Sequence, residues 1–249
     1  MLKRDAVSRD AFYAVVFDTE AITKKNINAE NNNIMRACCL LDVCADYSAQ
    51  GENGLPHRYG CSGIDGITFA PQIGNDDEAP LRMLVAYGIY GDITRSDNDD
   101  QIILSVDPKV AKQTAVKLRQ DRPHRIGIRA EEKLFLRTGN TTYGIQNLEY
   151  DPFTDKFFAA VYPGKKPEFS NPPLFVFPRR QTTEATEGNC RRLTGAIDSY
   201  DFQLGSTGLA SLGNGNFLVS ESFRTMSRDA GKISQYRFTG NLPLGFEKV

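Results

Sequence analysis

Carboxylate and amide side chains follow a repeated glycine motif, and they are the residues best suited to hold a ligand. Asp65 and Gln146 each stand two residues after such a glycine, and Asn147 follows Gln146 directly. Glu221 ends the strand-like run after the third copy of the motif. A set of ligands that contains only oxygen suits Ca²⁺ or Mg²⁺ better than Zn²⁺. The alternative is that these groups hydrogen-bond to exposed backbone and bind no metal.

Tyrosines form a second group of candidate ligand-binding residues. Tyr87 and Tyr143 lie at a strand end and beside a repeat glycine, and Tyr90, Tyr150 and Tyr162 have similar positions. Aromatic rings with polar tips suit stacking on a sugar or another flat ligand. Packing between sheets is the alternative role. We therefore include Tyr87 and Tyr143 in the predicted ligand-binding set.

The remaining reactive residues carry less specific patterns. His57 and His124 are the only histidines, and Cys61 stands four residues from His57. Loop residues at that spacing need not face one another, so no pair of nucleophile and base is indicated. The acidic stretch 97–100 lacks the Gly and the closing Glu of an EF-hand loop and is predicted to be a solvated hairpin tip. Residues 179–192, which contain two Arg-Arg pairs, are predicted to be a solvated connection.

The elements that position these residues form a threefold repeat. The copies begin at Gly63, Gly144 and Gly208, so their spacings are 144 − 63 = 81 and 208 − 144 = 64 residues. Each copy has a strand, a turn and a second strand. This pattern favours antiparallel pairing, because parallel strands need a crossover of about a dozen residues or more. A radial array of small sheets protects its strand edges, so the sequence predicts an all-β protein with a β-propeller fold.

The three copies resemble the β-propeller superfamily, most nearly its NHL-repeat and gluconolactonase-like groups. In these groups a strand of the form Gly-aliphatic-polar-x-aliphatic lies nearest the axis. The chain has no Trp, so the WD dipeptide of another propeller family is absent. The resemblance implies a divalent metal at the axis, bound by an acidic or amide residue from several blades. Asp65 and Asn147 have comparable positions in the repeat, and Glu221 at the end of a strand could approach from a third blade, whereas Ala210 in the third copy offers no ligand.

The strand pattern predicts a single domain over residues 1–249. About four strands a blade and roughly 40 to 50 residues per blade give five blades, with four or six as alternatives. Apolar runs predict strands at 12–18, 34–43, 81–90, 101–106, 133–137, 157–162, 174–177, 200–204 and 232–238, beside the repeat strands. A short buried helix is the alternative for 34–43. Only residues 108–120 show helical periodicity, with Pro108 in the first turn.

The composition excludes some partners. Lys and Arg number 30 against 31 Asp and Glu, so no strong field attracts nucleic acid or an anionic membrane. No run approaches the roughly 20 apolar residues of a membrane span. The five cysteines, an odd number without paired zinc-site spacing, are predicted to be free. Together with the missing apolar leader, they predict a cytoplasmic protein.

Three functions fit these observations. The leading hypothesis is a binding module that holds a small polar ligand, such as a sugar, or a protein segment at the mouth of the axial channel. The first alternative is a metal-dependent hydrolase or lactonase that resembles the gluconolactonase group. The second is a scaffold for protein interactions. Fold analogy does not choose among these functions. The oligomeric state also stays open.

Overall fold

The computed structural model describes residues 11–27, 34–49, 64, 66–74, 76, 78–88, 91–119, 123–224 and 228–249. This part of the chain contains seventeen strands and two short helices, which confirms the predicted all-β class. The helices are α1 (Leu41–Ser48) and α2 (Pro108–Thr114), and neither of them has the length and apolar character that a membrane span needs. The strands are β1 (Tyr13–Phe17), β2 (Met35–Leu40), β3 (Gly66–Pro71), β4 (Leu81–Tyr87), β5 (Asp100–Val106), β6 (Gly127–Ile128), β7 (Glu132–Arg137), β8 (Thr141–Asp151), β9 (Lys156–Pro163), β10 (Leu174–Pro178), β11 (Thr183–Ala185), β12 (Cys190–Leu193), β13 (Asp198–Tyr200), β14 (Leu209–Ser211), β15 (Asn216–Arg224), β16 (Asp229–Phe238) and β17 (Phe246–Lys248).

The described strands form four open sheets. The first sheet has the order β1-β2-β6, the second β11-β12-β7-β5-β4-β3, the third β13-β10-β9-β8 and the fourth β14-β15-β16-β17. Among these strand pairs, β2–β6 and β7–β12 run parallel and the others antiparallel. The predicted five blades of four strands are therefore not seen in this part of the chain, which has sheets of three, six, four and four strands.

Consecutive sheets share hydrophobic cores. The first core joins the first sheet and the helices to the second sheet and includes Val85. The second core joins Leu84 of the second sheet to Phe157 of the third, and the third core joins Phe158 to Phe217 of the fourth. Neighbouring residues on one strand serve different cores because side chains alternate between the two faces of a sheet. Burial on both faces explains the continuous apolar runs in the sequence.

The strands that carry the repeat copies lie at the ends of three different sheets. β3 ends the second sheet, β8 the third and β14 the fourth, and each pairs antiparallel with the next strand of the chain. β8 contacts both β3 and β14. The predicted antiparallel pairing is confirmed for these strands. Gly63 lies outside the described residues, so the equivalence of the three repeat glycines stays a prediction.

The helix content differs from the prediction of one helix. The predicted strand at 34–43 is β2 followed by α1, which buries Cys44 and packs Val43 into the first core. A continuous apolar run does not distinguish a strand covered on both faces from a short buried helix. The helix predicted at 108–120 ends earlier, at Thr114, and Asp107 caps its N-terminus by accepting a hydrogen bond from the backbone N–H of Lys109.

The connection 179–192 is largely exposed, as predicted, but it contains strands that were not predicted. It contains the hairpin β11–β12, and β12 extends the second sheet by pairing with β7. Main-chain hydrogen bonds form this ladder whatever the side chains are, so a short strand with arginines at its centre carries no apolar signal. Arg191 and Arg192 consequently point to opposite faces of the second sheet.

The described cysteines are free thiols. Cys38, Cys39 and Cys44 are buried, and Cys190 is half-buried. The Sγ atoms of Cys39 and Cys44 lie 3.5 Å apart, and burial, reinforced by Cys44, raises the pKa of the Cys39 thiol. The predicted free state is confirmed for these four residues, whereas Cys61 lies outside the described part of the chain.

Candidate functional site

A charged cavity of about 460 Å³ opens on the second sheet, and we call it the β7 pocket. Its wall on the sheet is formed by side chains of β7 and β12, including Lys133, Phe135, Arg137, Cys190 and Arg192. Its other walls are the acidic loop before β5 and the turn between β11 and β12. The acidic residues in these walls are Asp97, Asp99, Asp100 and Glu187.

Strand register brings the pocket residues together. Lys133, Phe135 and Arg137 alternate along β7 and share one face. In the parallel β7–β12 pair, Cys190 stands opposite Lys133 and Arg192 opposite Phe135. On the other side of β7, the residues opposite Lys133 and Phe135 are apolar and belong to the first core. The face therefore changes from apolar to charged at β7, and the pocket opens over the charged half.

Four ion pairs form a series of alternating charges that begins at buried Lys166 and continues through four residues of the pocket wall. Lys166 Nζ lies 2.6 Å from Asp99 Oδ1, and Asp99 Oδ2 lies 3.6 Å from a terminal nitrogen of Arg137. A second terminal nitrogen of Arg137 is 3.8 Å from Asp100 Oδ1, and Asp100 Oδ2 is 2.7 Å from Arg192. The outer contacts have hydrogen-bond length, whereas the two contacts of Arg137 exceed it. Arg137 thus forms a loose centre to the series.

The acidic stretch 97–100 is not a solvated hairpin tip, so the prediction for this stretch is wrong. Asn98 is fully buried and Asp99 is buried, because both receive hydrogen bonds from Lys166, a side chain only 2% exposed. A buried lysine needs such partners, since an unpaired ammonium group in a protein interior is very costly. The loop before β5 is therefore fixed to the loop after β9.

Two polar atoms of the pocket lack a hydrogen-bond partner. Within the described residues, Asp100 Oδ1 and Arg192 Nε are buried without a hydrogen bond, although the two side chains share the 2.7 Å contact. An unsatisfied buried group costs about 1–3 kcal/mol. Such groups in a folded protein mark strain, a missing ion or water, or a functional site. Here the acceptor, Asp100 Oδ1, and the donor, Arg192 Nε, belong to the two partners of one ion pair.

A buried ionic group supports the lower part of the pocket. Asp46 of α1 accepts hydrogen bonds from Lys133 Nζ at 2.8 and 2.9 Å and from the Tyr87 hydroxyl. Burial raises the pKa of the Asp46 carboxyl, and the bonds from Lys133 and Tyr87 partly offset this rise. Burial also raises the pKa of the Cys190 thiol beside it, despite the nearby ammonium group of Lys133. Cys190 is thus mainly a protonated thiol at neutral pH.

The structure separates the predicted ligand-binding residues. Tyr87 is completely buried in the first core, where its hydroxyl binds Asp46. Tyr143 lies on β8, is 49% exposed and makes an edge-to-face contact with Tyr162. Asp65 lies outside the described residues. None of the described residues of the predicted set lines the β7 pocket.

The three predicted amide and acidic side chains of the repeat strands have different surroundings. Gln146 sits at an irregularity in the β8–β9 pairing, and its Nε2 is buried without a partner within the described chain. Asn147 donates hydrogen bonds from Nδ2 to the carbonyl oxygens of Gly205 and Ser206. Glu221 lies on β15 opposite Lys232.

Metal binding at the predicted residues stays a prediction. The described part of the chain contains no group of three or more His, Cys, Asp or Glu side chains placed to hold a metal ion. The predicted set of Asp65, Asn147 and Glu221 extends beyond these residue types and beyond the described residues. Asn147 uses its amide nitrogen to bind backbone, which leaves its oxygen as the possible ligand.

A second cavity of about 430 Å³ lies on the opposite face of the same strands. It is lined by Glu132 of β7, Arg191 of β12 and Gln181, together with the turn between β3 and β4. Glu132 Oε1 is 3.5 Å from Arg191, so this cavity also contains an ion pair. The β7–β12 flank therefore carries a cavity on each face. Sequence reasoning missed both, although the Arg191-Arg192 pair and the 97–100 stretch are visible signals.

Comparison of the chain with models of protein families, with curated proteins and with solved structures finds no match.

Proposed function

We propose that the chain is a propeller-like binding module that holds a small polar ligand in the β7 pocket. The observation that carries this proposal is the cavity itself. Its volume lies within the range of about 300–1,000 Å³ typical of small-molecule sites. Its lining combines one aromatic side chain with converging charged groups, among them an unpaired donor and an unpaired acceptor.

The propeller-like arrangement is supported by the stacking of the sheets. Three successive cores join four sheets, and the contacting strands β3, β8 and β14 occupy corresponding end positions in three of them. Blades of a propeller pack face to face in this manner, with their innermost strands side by side. On this view the β7 pocket lies on the outer flank of one blade rather than at the axis, so the proposed site differs from the predicted channel mouth.

The test uses Cys190 as a reporter, because its thiol lines the pocket. Cys190 would be alkylated with iodoacetamide in the presence of a panel of small molecules, and mass spectrometry of the tryptic peptide that contains Cys190 would measure the extent of alkylation. The panel contains neutral sugars and polyols, inorganic phosphate and dicarboxylates, and dipeptides. We expect at least one of these classes to slow the alkylation of Cys190, since a bound ligand covers the thiol.

Two arginine variants provide matched controls. Arg192→Ala should abolish the protection of Cys190, whereas Arg191→Ala, on the opposite face of β12, should retain it. Circular dichroism confirms that both variants are folded. If no class of compound slows alkylation in the folded wild-type protein, the β7 pocket is not a binding site and the proposal is wrong.

A further inference from the structure

We infer that the ligand of the β7 pocket is an uncharged, polyhydroxylated molecule such as a sugar or polyol, an inference that rests on the proposed function. The decisive feature is the alternation of charge along Lys166, Asp99, Arg137, Asp100 and Arg192. Every charge in this series has an opposite charge within 4 Å on one or both sides. This series of five charges therefore presents no extended region of one sign.

A ligand with a net charge fits such a lining poorly. An anion that approaches Arg137 also approaches Asp99 and Asp100, whose carboxylates flank the guanidinium group at 3.6 and 3.8 Å. A cation that approaches either carboxylate meets Arg137 in the same way. Like charges at these distances repel strongly when water is partly excluded. Discrimination against charged ligands thus follows from the order of the residues.

Hydroxyl groups match the same lining, because a hydroxyl donates one hydrogen bond and accepts others. Arg137 makes no hydrogen bond to a described residue, so its N–H groups can donate to ligand oxygens. A hydroxyl placed between Asp100 and Arg192 can donate to the unpaired Oδ1 and accept from the unpaired Nε. Both atoms are buried, so this contact requires the Arg192 side chain, which is 43% exposed, to turn.

Neighbouring hydroxyls on one carbon skeleton extend this match. Successive charged side chains of this series alternate between hydrogen-bond donors and acceptors. A row of hydroxyl groups can accept from the donors and donate to the acceptors in turn. Phe135 provides an apolar surface in the same cavity for the carbon skeleton of the ligand. A volume of about 460 Å³ accommodates a molecule of mono- or disaccharide size.

Isothermal titration calorimetry on the wild-type protein tests the ligand class with the same three groups of compounds. We expect one or more neutral sugars or polyols to bind at least ~10-fold more tightly than phosphate or dicarboxylates, since each charge-assisted hydrogen bond is worth about a factor of ten. Arg137→Met should weaken the binding of that sugar by ~10-fold. This variant should fold, because Asp99 and Asp100 keep Lys166 and Arg192 as partners. Lys165→Met, at an exposed position, serves as the control with unchanged affinity.

A charge-changing variant adds an independent check. Asp100→Asn breaks the alternation and makes the pocket more positive, so it should improve phosphate binding and weaken sugar binding. Tighter binding of phosphate or a dipeptide than of every sugar and polyol by the wild-type protein overturns the inference about ligand class and leaves the binding module intact. Absence of binding by all three groups overturns both.

Discussion

Removing the buried lysine at the end of the series of alternating charges tests how the acidic loop is held. In Lys166→Met the apolar stem is kept and the ammonium group is lost, together with its hydrogen bonds of 2.6 Å to Asp99 and 2.9 Å to Asn98. Breaking a buried ion pair by removing one partner costs about 3–5 kcal/mol. Asp99 retains a loose contact with Arg137, whose side chain is 54% exposed, so we expect the lower part of this range, about 3 kcal/mol.

Urea unfolding provides the measurement. The chain has ten Tyr and no Trp, so tyrosine fluorescence and circular dichroism are the two probes. Coincident transitions justify a two-state analysis. Because Lys165 is exposed, Lys165→Met is the matched control and should change the free energy of unfolding by no more than about 0.5 kcal/mol. The double variant Lys166→Met/Asp99→Asn should recover at least about 1 kcal/mol of the loss, since it no longer buries an unpaired carboxylate.

Equal stabilities of Lys166→Met and Lys165→Met would refute this reasoning, because they would mean that the Lys166 ammonium group contributes no more than an exposed one. Failure of the double variant to recover any stability would show instead that packing of the stem, rather than charge pairing, determines the loss.

Two further predictions concern the cores. Phe158→Ala should lower the free energy of unfolding by about 3–5 kcal/mol, because this buried ring contacts Phe217 and Phe238 at centroid distances of 4.6 and 4.8 Å. Phe153→Ala, which removes an exposed ring, is the control. A similar loss of stability in both variants would contradict the packing of Phe158 in the third core. Burial raises the pKa of the Asp46 carboxyl, so the folded state binds this proton more tightly than the unfolded chain does. The resulting stabilisation is present below the ordinary pKa of 3.8 and is lost as the pH rises through the raised pKa. Urea unfolding at several pH values should therefore show wild type losing stability relative to Asp46→Asn as pH rises; the opposite trend would show that Lys133 lowers the pKa more than burial raises it.

The strands buried on both faces were predictable from the sequence. The predicted strand 101–106 is β5, one residue longer at its start, and the predicted strand 174–177 is β10, one residue longer at its end. Both contain consecutive apolar residues, 102–104 in β5 and 174–177 in β10, because each strand lies between two cores, and burial of both faces leaves a strong local signal. Their local composition thus contained the information that determined their structure.

The elements that form the site were not predictable in the same way. β12 pairs with β7, more than fifty residues earlier, through main-chain hydrogen bonds that leave no mark on its composition. Lys166 binds Asp99 from a distance of 67 positions along the chain. Neither partner has a sequence feature that specifies the other. A local acidic stretch predicts a solvated tip at 97–100, whereas cations distant in sequence, above all Lys166, change its environment.

The sequence predicts ligand-binding residues on the repeat strands, but the polar side chains of these strands largely connect one sheet to the next. Asn147 binds backbone carbonyls before β14, and Glu149 accepts a hydrogen bond from the backbone N–H of Ser211. Asp151 accepts one from the Ser211 hydroxyl at 2.7 Å. These contacts connect the third sheet to the fourth and use part of the hydrogen-bonding capacity of the three side chains.

The flank of the second sheet has the opposite character. With six strands between neighbours of three and four, this sheet is the widest of those in the described chain. β12 supplies the added width and places Arg191 and Arg192 over different cavities. Uncovered charged faces beside packed cores are suited to binding small polar molecules, because rigid strands hold the polar groups while solvent still has access. The β7 pocket, where we propose that a ligand binds, thus owes its position to the width of this sheet rather than to the repeat.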